Sequence, residues 1–335
     1  MSMLLFPPEG YVFDTHTPVQ NEFIDRINKS NTEDALEWLL PIKDNHEISK
    51  PLLLTLRWES EENGTNTVEL SENPDFADAL CYETAQNTLD INNLKIGTTY
   101  FWRVNKCKKS SFKTRNNSFR FIDIDGALNV RDLGGVAIKQ GIFYRGSEID
   151  AHFEISDKGK RTFCDELNIR TELDLRSSQE FEGSNKSAAG DCVKCIKLPY
   201  RPYYEVFEEP NRSQLVKIME LLANKDNYPI YIHCMGGADR TQMISMFLRA
   251  IVGEPDEIMH LDYELTSLSV YSAGVSEGVT ARGFRSRNSS WYVNFLKRLE
   301  PFGKGKTLAK KLIAFMSYCG VSDECMDIIK KNIEK

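Results

Sequence analysis

Two different periods of apolar and polar residues divide the chain. Between about residues 50 and 120, short alternating segments are separated by turn residues: LLLTLRWES, then NTVELSE, then TTYFWRV. In the last of these, Tyr100, Trp102 and Val104 fall on one face and Thr99, Phe101 and Arg103 on the other, so one face is expected to be core. This is the pattern of an all-β sandwich. Residues 21–49 interrupt it with a polar stretch that includes the helical period of EDALEWLLPI, which reads as a helical insertion between the first two strands.

After residue 121 short apolar runs alternate with amphipathic helices, which predicts an α/β domain with a mainly parallel central sheet flanked by helices. Strands are expected at GIFYR (141–145), TELDL (171–175), CIKLP (195–199) and PIYIH (229–233). SQLVKIMELLAN puts Leu215, Ile218, Met219 and Leu222 on one stripe, whereas TQMISMFLRAIVG is apolar on nearly every face and is expected to be central and buried. WYVNFLKRL, TLAKKLIAFMSYCG and SDECMDIIKKNIEK add a helical cluster at the end. The expected domains are 1–120 and 121–335, and 335 residues suit two cores better than one.

Charge and composition narrow the chemistry. A net charge of −7 and a pI near 5.5 argue against nucleic acid as a partner, since such a surface needs a basic face. No run of about eighteen apolar residues could cross a bilayer, so no stable membrane insertion is expected. The start MSMLLFPPEG has neither the basic flank nor the apolar length of a signal peptide, and a cytoplasmic location is the default expectation unless a signal has been removed. Eight irregularly spaced cysteines do not make a disulfide framework. Cys192 and Cys195 form a CVKC string ahead of a strand rather than at a helix start, which favours a structural role. Five histidines without ligand spacing point to no metal, and no cofactor is expected.

The segment HCMGGADRT, residues 233–241, lies between the strand PIYIH and a helix beginning near Arg240. Such a strand-loop-helix aims loop amides and the helix N-terminus at one point, where a phosphate dianion fits. Gly236 and Gly237 allow backbone angles closed to other residues, so the N–H groups from Met235 through Ala238 to Arg240 can turn inward around phosphate oxygens. Cys234 stands at the floor, with the helix dipole and a neighbouring cation able to bring its thiol into the roughly 3.5–7.5 pKa range of reactive thiolates. Arg240 offers a planar fork that matches two phosphoryl oxygens through the transition state, which lysine could not reproduce. Thr241 can hydrogen-bond the sulfur, and His233 fixes the loop rather than moving protons. With eight cysteines, the complete pattern arises by chance in roughly one chain in ten thousand.

HCMGGADRT resembles the signature of the cysteine-based protein tyrosine phosphatase superfamily: His-Cys, two residues, Gly, two residues, Arg, then Ser or Thr. GALNVRDLGGV (126–136), YRGSEI (144–149), NIRTELDLRSSQEFE (168–182) and DYELT (262–266) resemble the bacterial tyrosine/lipid phosphatase family over about 121–335. The resemblance implies a metal-independent phosphatase working through a cysteinyl-phosphate on Cys234. The implied substrates are phosphotyrosine, phosphoserine or phosphothreonine, or phosphoinositides, carried on a protein, a phospholipid or a small ester. Ala238 stands where the family often carries lysine, which makes a strong preference for polyphosphorylated inositol headgroups less expected. LKIGTTY (94–100) resembles the leucine-to-tyrosine corner of fibronectin type III modules, which implies that residues 1–120 are such a sandwich, with a protein partner for it to dock.

The general acid is the open position. No Trp-Pro-Asp string occurs, and the resemblance implies the in-loop Asp239, with loop bracing as its alternative role. PYRPYYEVFEEP (199–210) occupies the place of an acid loop but offers only Glu205, Glu208 and Glu209, which read as exposed charge. Asp174 and Arg176 follow a strand end and either buttress the loop or serve elsewhere. Arg131 and Asp132, and Arg145 and Ser147, pair in the core or approach substrate. Residues 267–290, rich in Ser and Gly with Arg282, Arg285 and Arg287, are a solvated loop or a substrate lid. Two other functions remain open: a sulfur-transfer or arsenate-reducing enzyme that would use Cys192 and Cys195, and a non-catalytic phosphopeptide-binding adaptor.

Overall fold

A computed structural model describes residues 2–43, 46–60, 64–180, 186–270 and 284–335. The chain forms two compact units, Met1–Thr17 with Pro51–Phe121, and Pro18–Lys50 with Ile122–Lys335.

In the first unit, β1 (Ser2–Phe6), β3 (Leu54–Ser60) and β6 (Thr88–Ile91) make a three-stranded antiparallel sheet in the order β1–β3–β6. The strands β2 (Tyr11–Phe13), β4 (Asn66–Ser71), β5 (Leu80–Thr84), β7 (Thr99–Val104) and β8 (Ser110–Thr114) make a second sheet in the order β2–β8–β7–β4–β5. Alternation decides which faces meet: Leu54, Leu56 and Trp58 of one sheet share a core with Val68, Leu70, Tyr100, Trp102 and Val104 of the other. The buried Tyr100 hydroxyl accepts from the backbone N–H of Lys95 at 2.8 Å. A two-residue strand, β9 (Arg120–Phe121), ends this unit.

The helices α1 (Pro18–Lys29) and α2 (Thr32–Lys43) are the insertion expected near 21–49, and they group with the second unit rather than with the sandwich. Phe23, Ile27, Ala35 and Leu39 give them one buried stripe. What the sequence could not reveal is where that stripe packs. Thr32 donates to Glu264 at 2.6 Å, and the backbone N–H of Ile48 to the carbonyl of Leu268 at 3.1 Å.

The second unit carries β10 (Arg131–Asp132), β11 (Phe143–Gly146), β12 (Thr171–Asp174), β13 (Lys194–Lys197) and β14 (Ile230–His233), which run β13–β12–β14–β11–β10. All these pairings are parallel except β10 on β11. Period two sends Phe143, Leu173, Ile230 and Ile232 into one apolar cluster and Tyr144 and Tyr231 into another, so both faces of the sheet are covered. Among the described residues the remaining α-helices are α3 (Asp157–Arg161), α4 (Asn211–Ala223), α5 (Asp239–Ile251), α6 (Asp256–Glu264), α7 (Ser290–Leu299), α8 (Leu308–Cys319) and α9 (Asp323–Ile333). Every residue of α5 from Thr241 to Ile251 is buried, as the apolar run around all its faces implies. No described helix is long and apolar enough to cross a membrane.

Candidate active site

The strand β14 is central and its C-terminal end, His233, opens directly into the five-residue loop Cys234–Ala238, after which α5 starts at Asp239. Cys234 lies at the base of a cavity of about 740 Å³ whose lining includes Ser177, Glu180, Tyr200, Tyr204, Asp239 and Arg240. Met235, Gly236 and Ala238 also line it. Gly237 is not among the lining residues. It has φ +62°, and a β-carbon there would come within 2.3 Å of the Gly146 backbone. Of the two loop glycines, only this one adopts the left-handed conformation, so it is a close-approach requirement and not a pair of free hinges.

Cys234 is 3 % exposed. Burial opposes charge on the sulfur, but the Arg240 guanidinium and hydrogen bonds from the Thr241 hydroxyl, at 3.3 Å, and the Thr241 backbone N–H outweigh it and hold the thiol below its ordinary value. The first-turn N–H groups of α5 have no intrahelical partners and reinforce the preference for an anion. Arg240 is forked onto Glu180, Nη1 to Oε2 at 2.7 Å and Nη2 to Oε1 at 2.6 Å, and Glu180 also accepts from the backbone and hydroxyl of Ser177. Burial works against ionisation of Glu180, yet those donors draw it down to about 2. Glu180 lies within the segment NIRTELDLRSSQEFE, but a lone glutamate after a strand has no distinguishing spacing, so the pattern of residues does not mark it.

The loop rests on a buried polar floor. Arg145 donates to the carbonyl of Gly237 at 2.7 Å, to Asp262 at 2.7 Å and to Gln242. Asn129 donates to the carbonyls of Gly236 and Gly237 at 3.0 and 3.2 Å, and Arg131 pairs with Asp262 at 3.1 Å. Asp262 is held well below the usual carboxylate range: desolvation opposes this, and Arg145, Arg249 and Arg131 overcome it. The segments NVRDLGG, YRGSEI and DYELT therefore meet beneath the loop. Arg131 and Arg145 are fully buried and paired in the core, and Asp132 caps the backbone N–H groups of Gly134 and Gly141. Ser147 bonds the backbone N–H of Leu128 at 2.9 Å.

His233 is fully buried, with Nε2 2.8 Å from Glu172 and Nδ1 3.2 Å from the Cys234 carbonyl. Desolvation favours the neutral ring, but Glu172 and Asp174 lift it to about 9. Asp174 and Arg176 are not among the residues lining the cavity. Arg176 is locked onto Asp174, Glu148 and Asp150, and Glu148 donates its backbone N–H to the carbonyl of Met235 at 2.9 Å, so the pair braces the loop from one residue away.

Asp239 bonds Arg285 at 2.8 and 2.9 Å and accepts from Tyr203, whose hydroxyl also meets Tyr263 at 2.6 Å. Tyr203 comes from PYRPYYEVFEEP, where a search for acids picks out the carboxylates and passes over the tyrosine. Glu205, Glu208 and Glu209 line the cavity and are paired with Arg201, Arg298 and Arg212. In the 267–290 segment, Arg285 and Arg287 are ion-paired with Asp239 and Glu264 rather than solvated, and Arg282 lies outside the described residues. Cys192 faces Cys164 at 2.8 Å instead of Cys195, and neither member of the CVKC string lines the cavity. Among the described residues no cluster of His, Cys, Asp and Glu could hold a metal ion.

A sequence model of the tyrosine phosphatase family matches residues 122–335. Among curated proteins no relative matches the chain in sequence. Solved structures with some likeness include a Cys-to-Ser variant of TpbA from P. aeruginosa in complex with pTyr, at 12% identity and TM-score 0.35, covering 59% of this chain and 95% of that one. The core catalytic domain of the PP-IP phosphatase SIW14 from S. cerevisiae, in complex with citrate, gives 15% and 0.29, covering 49% and 90%. PTPMT1 in complex with PI(5)P gives 11% and 0.30, covering 50% and 97%. Likenesses this distant carry no argument about substrate or mechanism.

Proposed function

Since the chain belongs to the tyrosine phosphatase family and is a phosphatase of that type, we propose that it hydrolyses phosphate monoesters without a metal, through a phosphocysteine formed on Cys234. One observation carries this reading: the sulfur at the base of the cavity is stabilised as thiolate by Arg240 and by both donors of Thr241. The thiolate attacks phosphorus, the ester P–O bond breaks, and Arg240 leaves Glu180 to follow the equatorial oxygens through the transition state. Asp239, at the cavity wall, protonates the leaving oxygen and later takes a proton from the attacking water. Glu180 keeps the arginine fork in plane until substrate arrives.

Tyr200 and Tyr204 line the cavity among Pro199, Pro202, Arg201 and Glu205, and their rings support an aromatic phosphate ester as the preferred substrate, with phosphoserine, phosphothreonine and phosphoinositides as slower ones. The absence of a cation at Ala238 supports the same order. We read the N-terminal unit as a fibronectin type III-like module that docks a protein partner; the Tyr100 to Lys95 bond supports that reading.

A panel of phosphotyrosine peptide, phosphoserine peptide, phosphoinositide and inositol phosphate, assayed in EDTA, tests the proposal. Phosphotyrosine is expected to lead in kcat/KM by about tenfold or more, the discrimination that one pocket contact can supply. Loss of activity in EDTA, or substantial turnover by Cys234→Ser, would contradict it.

A further inference from the structure

Asp239 is held from outside the loop that carries it. Arg285 Nε and Nη2 donate to Oδ1 and Oδ2 at 2.8 and 2.9 Å, and Tyr203 donates to Oδ1. The segment presenting Arg285 is tied on two sides. On one, the Ser267 hydroxyl accepts from the Arg285 backbone N–H at 2.7 Å and donates to its carbonyl at 3.0 Å, while Arg287 forks onto Glu264 at 2.8 and 2.7 Å. On the other stand the inserted helices. Glu33 accepts from the Ser286 hydroxyl at 3.1 Å and the Asn288 amide at 2.6 Å, and the Lys43 ammonium lies 4.7 Å from the centre of the Phe284 ring. Past α2, Glu47 accepts from the Ser269 hydroxyl at 2.6 Å and the Val270 N–H at 3.0 Å.

A carboxylate forked onto a guanidinium is fixed in plane, so Arg285 sets where the Asp239 oxygens point. With a leaving group as acidic as nitrophenol, which needs little protonation, misplacing Asp239 is felt in the second half of the reaction more than in the first. We propose that Arg285 is a positioning residue that holds Asp239 ready as the base for hydrolysis of the phosphocysteine, and that the inserted α1–α2 pair is the brace that keeps Arg285 in place. The inference rests on Cys234 being the nucleophile. In that step a water oxygen bonds to phosphorus as the S–P bond breaks, the sulfur keeps the electron pair, and the proton of the water passes to Asp239, so no further reactant is consumed.

Rapid mixing of Arg285→Met with para-nitrophenyl phosphate reads the two halves separately. The expected result is a burst of nitrophenolate approaching one per Cys234, then steady turnover about 10- to 100-fold below the unaltered enzyme, less than the roughly 100- to 10,000-fold of a whole general base because Asp239 itself remains. KM should fall with kcat because the intermediate accumulates. Arg285→Lys should recover part of the steady rate, since it keeps the cation and loses the fork. Glu33→Ala combined with Glu47→Ala, remote from the sulfur, should give a smaller burst in the same direction. Steady turnover that falls with no burst, or does not fall at all, overturns the proposal; if Arg285→Met does not fold, Arg285→Lys is judged by the same criterion. Turnover by Cys234→Ser would instead overturn the underlying phosphatase reading, which separates the two failures.

Discussion

The floor beneath the anion loop and the rim around it are both built from arginine–carboxylate pairs, yet burial gives them different work. On the floor, Arg131 and Arg145 and their shared partner Asp262 are fully excluded from solvent. Those charges interact in a low dielectric and any one left unpaired is costly, so the arrangement is rigid and holds the loop carbonyls in place. On the rim, Arg240 with Glu180 and Arg285 with Asp239 keep between 17 and 28 % of their side chains exposed. Such partly exposed pairs are less costly to part, and at Arg240 a phosphate dianion can take the place of the Glu180 carboxylate. The proposed mechanism thus draws stability from the floor and chemistry from the rim.

The largest separation should appear between Arg145→Met and Glu180→Gln. Removing Arg145 strips the Gly237 carbonyl of a donor and breaks a buried pair, which should lower unfolding stability by about 3–5 kcal/mol in urea titration. Glu180→Gln should cost about 1 kcal/mol or less in the same titration, while turnover falls about tenfold as the Arg240 fork loses its orientation. If both variants lose stability equally, the division between floor and rim fails.

A smaller effect sharpens the same division through pH. His233 belongs to the floor and its folded pKa of about 9 lies above the unfolded value of 6.5. A raised value means that its contribution is complete below about pH 6.5 and disappears as pH rises through 9, amounting to ~3 kcal/mol at most. His233→Gln should therefore be less stable than the unaltered protein near pH 6 and should converge with it above pH 9. A constant gap across that range would mean that Glu172 and Asp174 do not hold the ring charged.

What the sequence made legible follows this division as well. Cys234, Arg240 and Thr241, the proposed nucleophile, clamp and sulfur donor, were readable as one group because a nine-residue segment fixes them between a strand and a helix, so local spacing is spatial proximity. The floor was partly readable, since NVRDLGG, YRGSEI and DYELT could be picked out as segments, although whether Arg131 and Arg145 face the core or the substrate depends on tertiary pairing. The rim was readable only in part. Arg240 and Asp239 belong to the nine-residue segment, and Arg285 stood out in an arginine-bearing loop. But Glu180 lines the cavity and Tyr203 and Arg285 meet Asp239 from three separate segments, with no periodicity linking them to Cys234. Likewise the α1–α2 stripe announced a helical insertion but not its partner, because an apolar face specifies burial and not the surface it packs against.

The central claim is a covalent bond between Cys234 and phosphorus. Acid quenching of the enzyme within milliseconds of mixing with radiolabelled phosphotyrosine peptide, followed by peptide mapping, tests it directly. The account predicts acid-stable label on the peptide containing Cys234, and none in Cys234→Ser; label on another residue, or turnover with no labelled protein at any quench time, would contradict it.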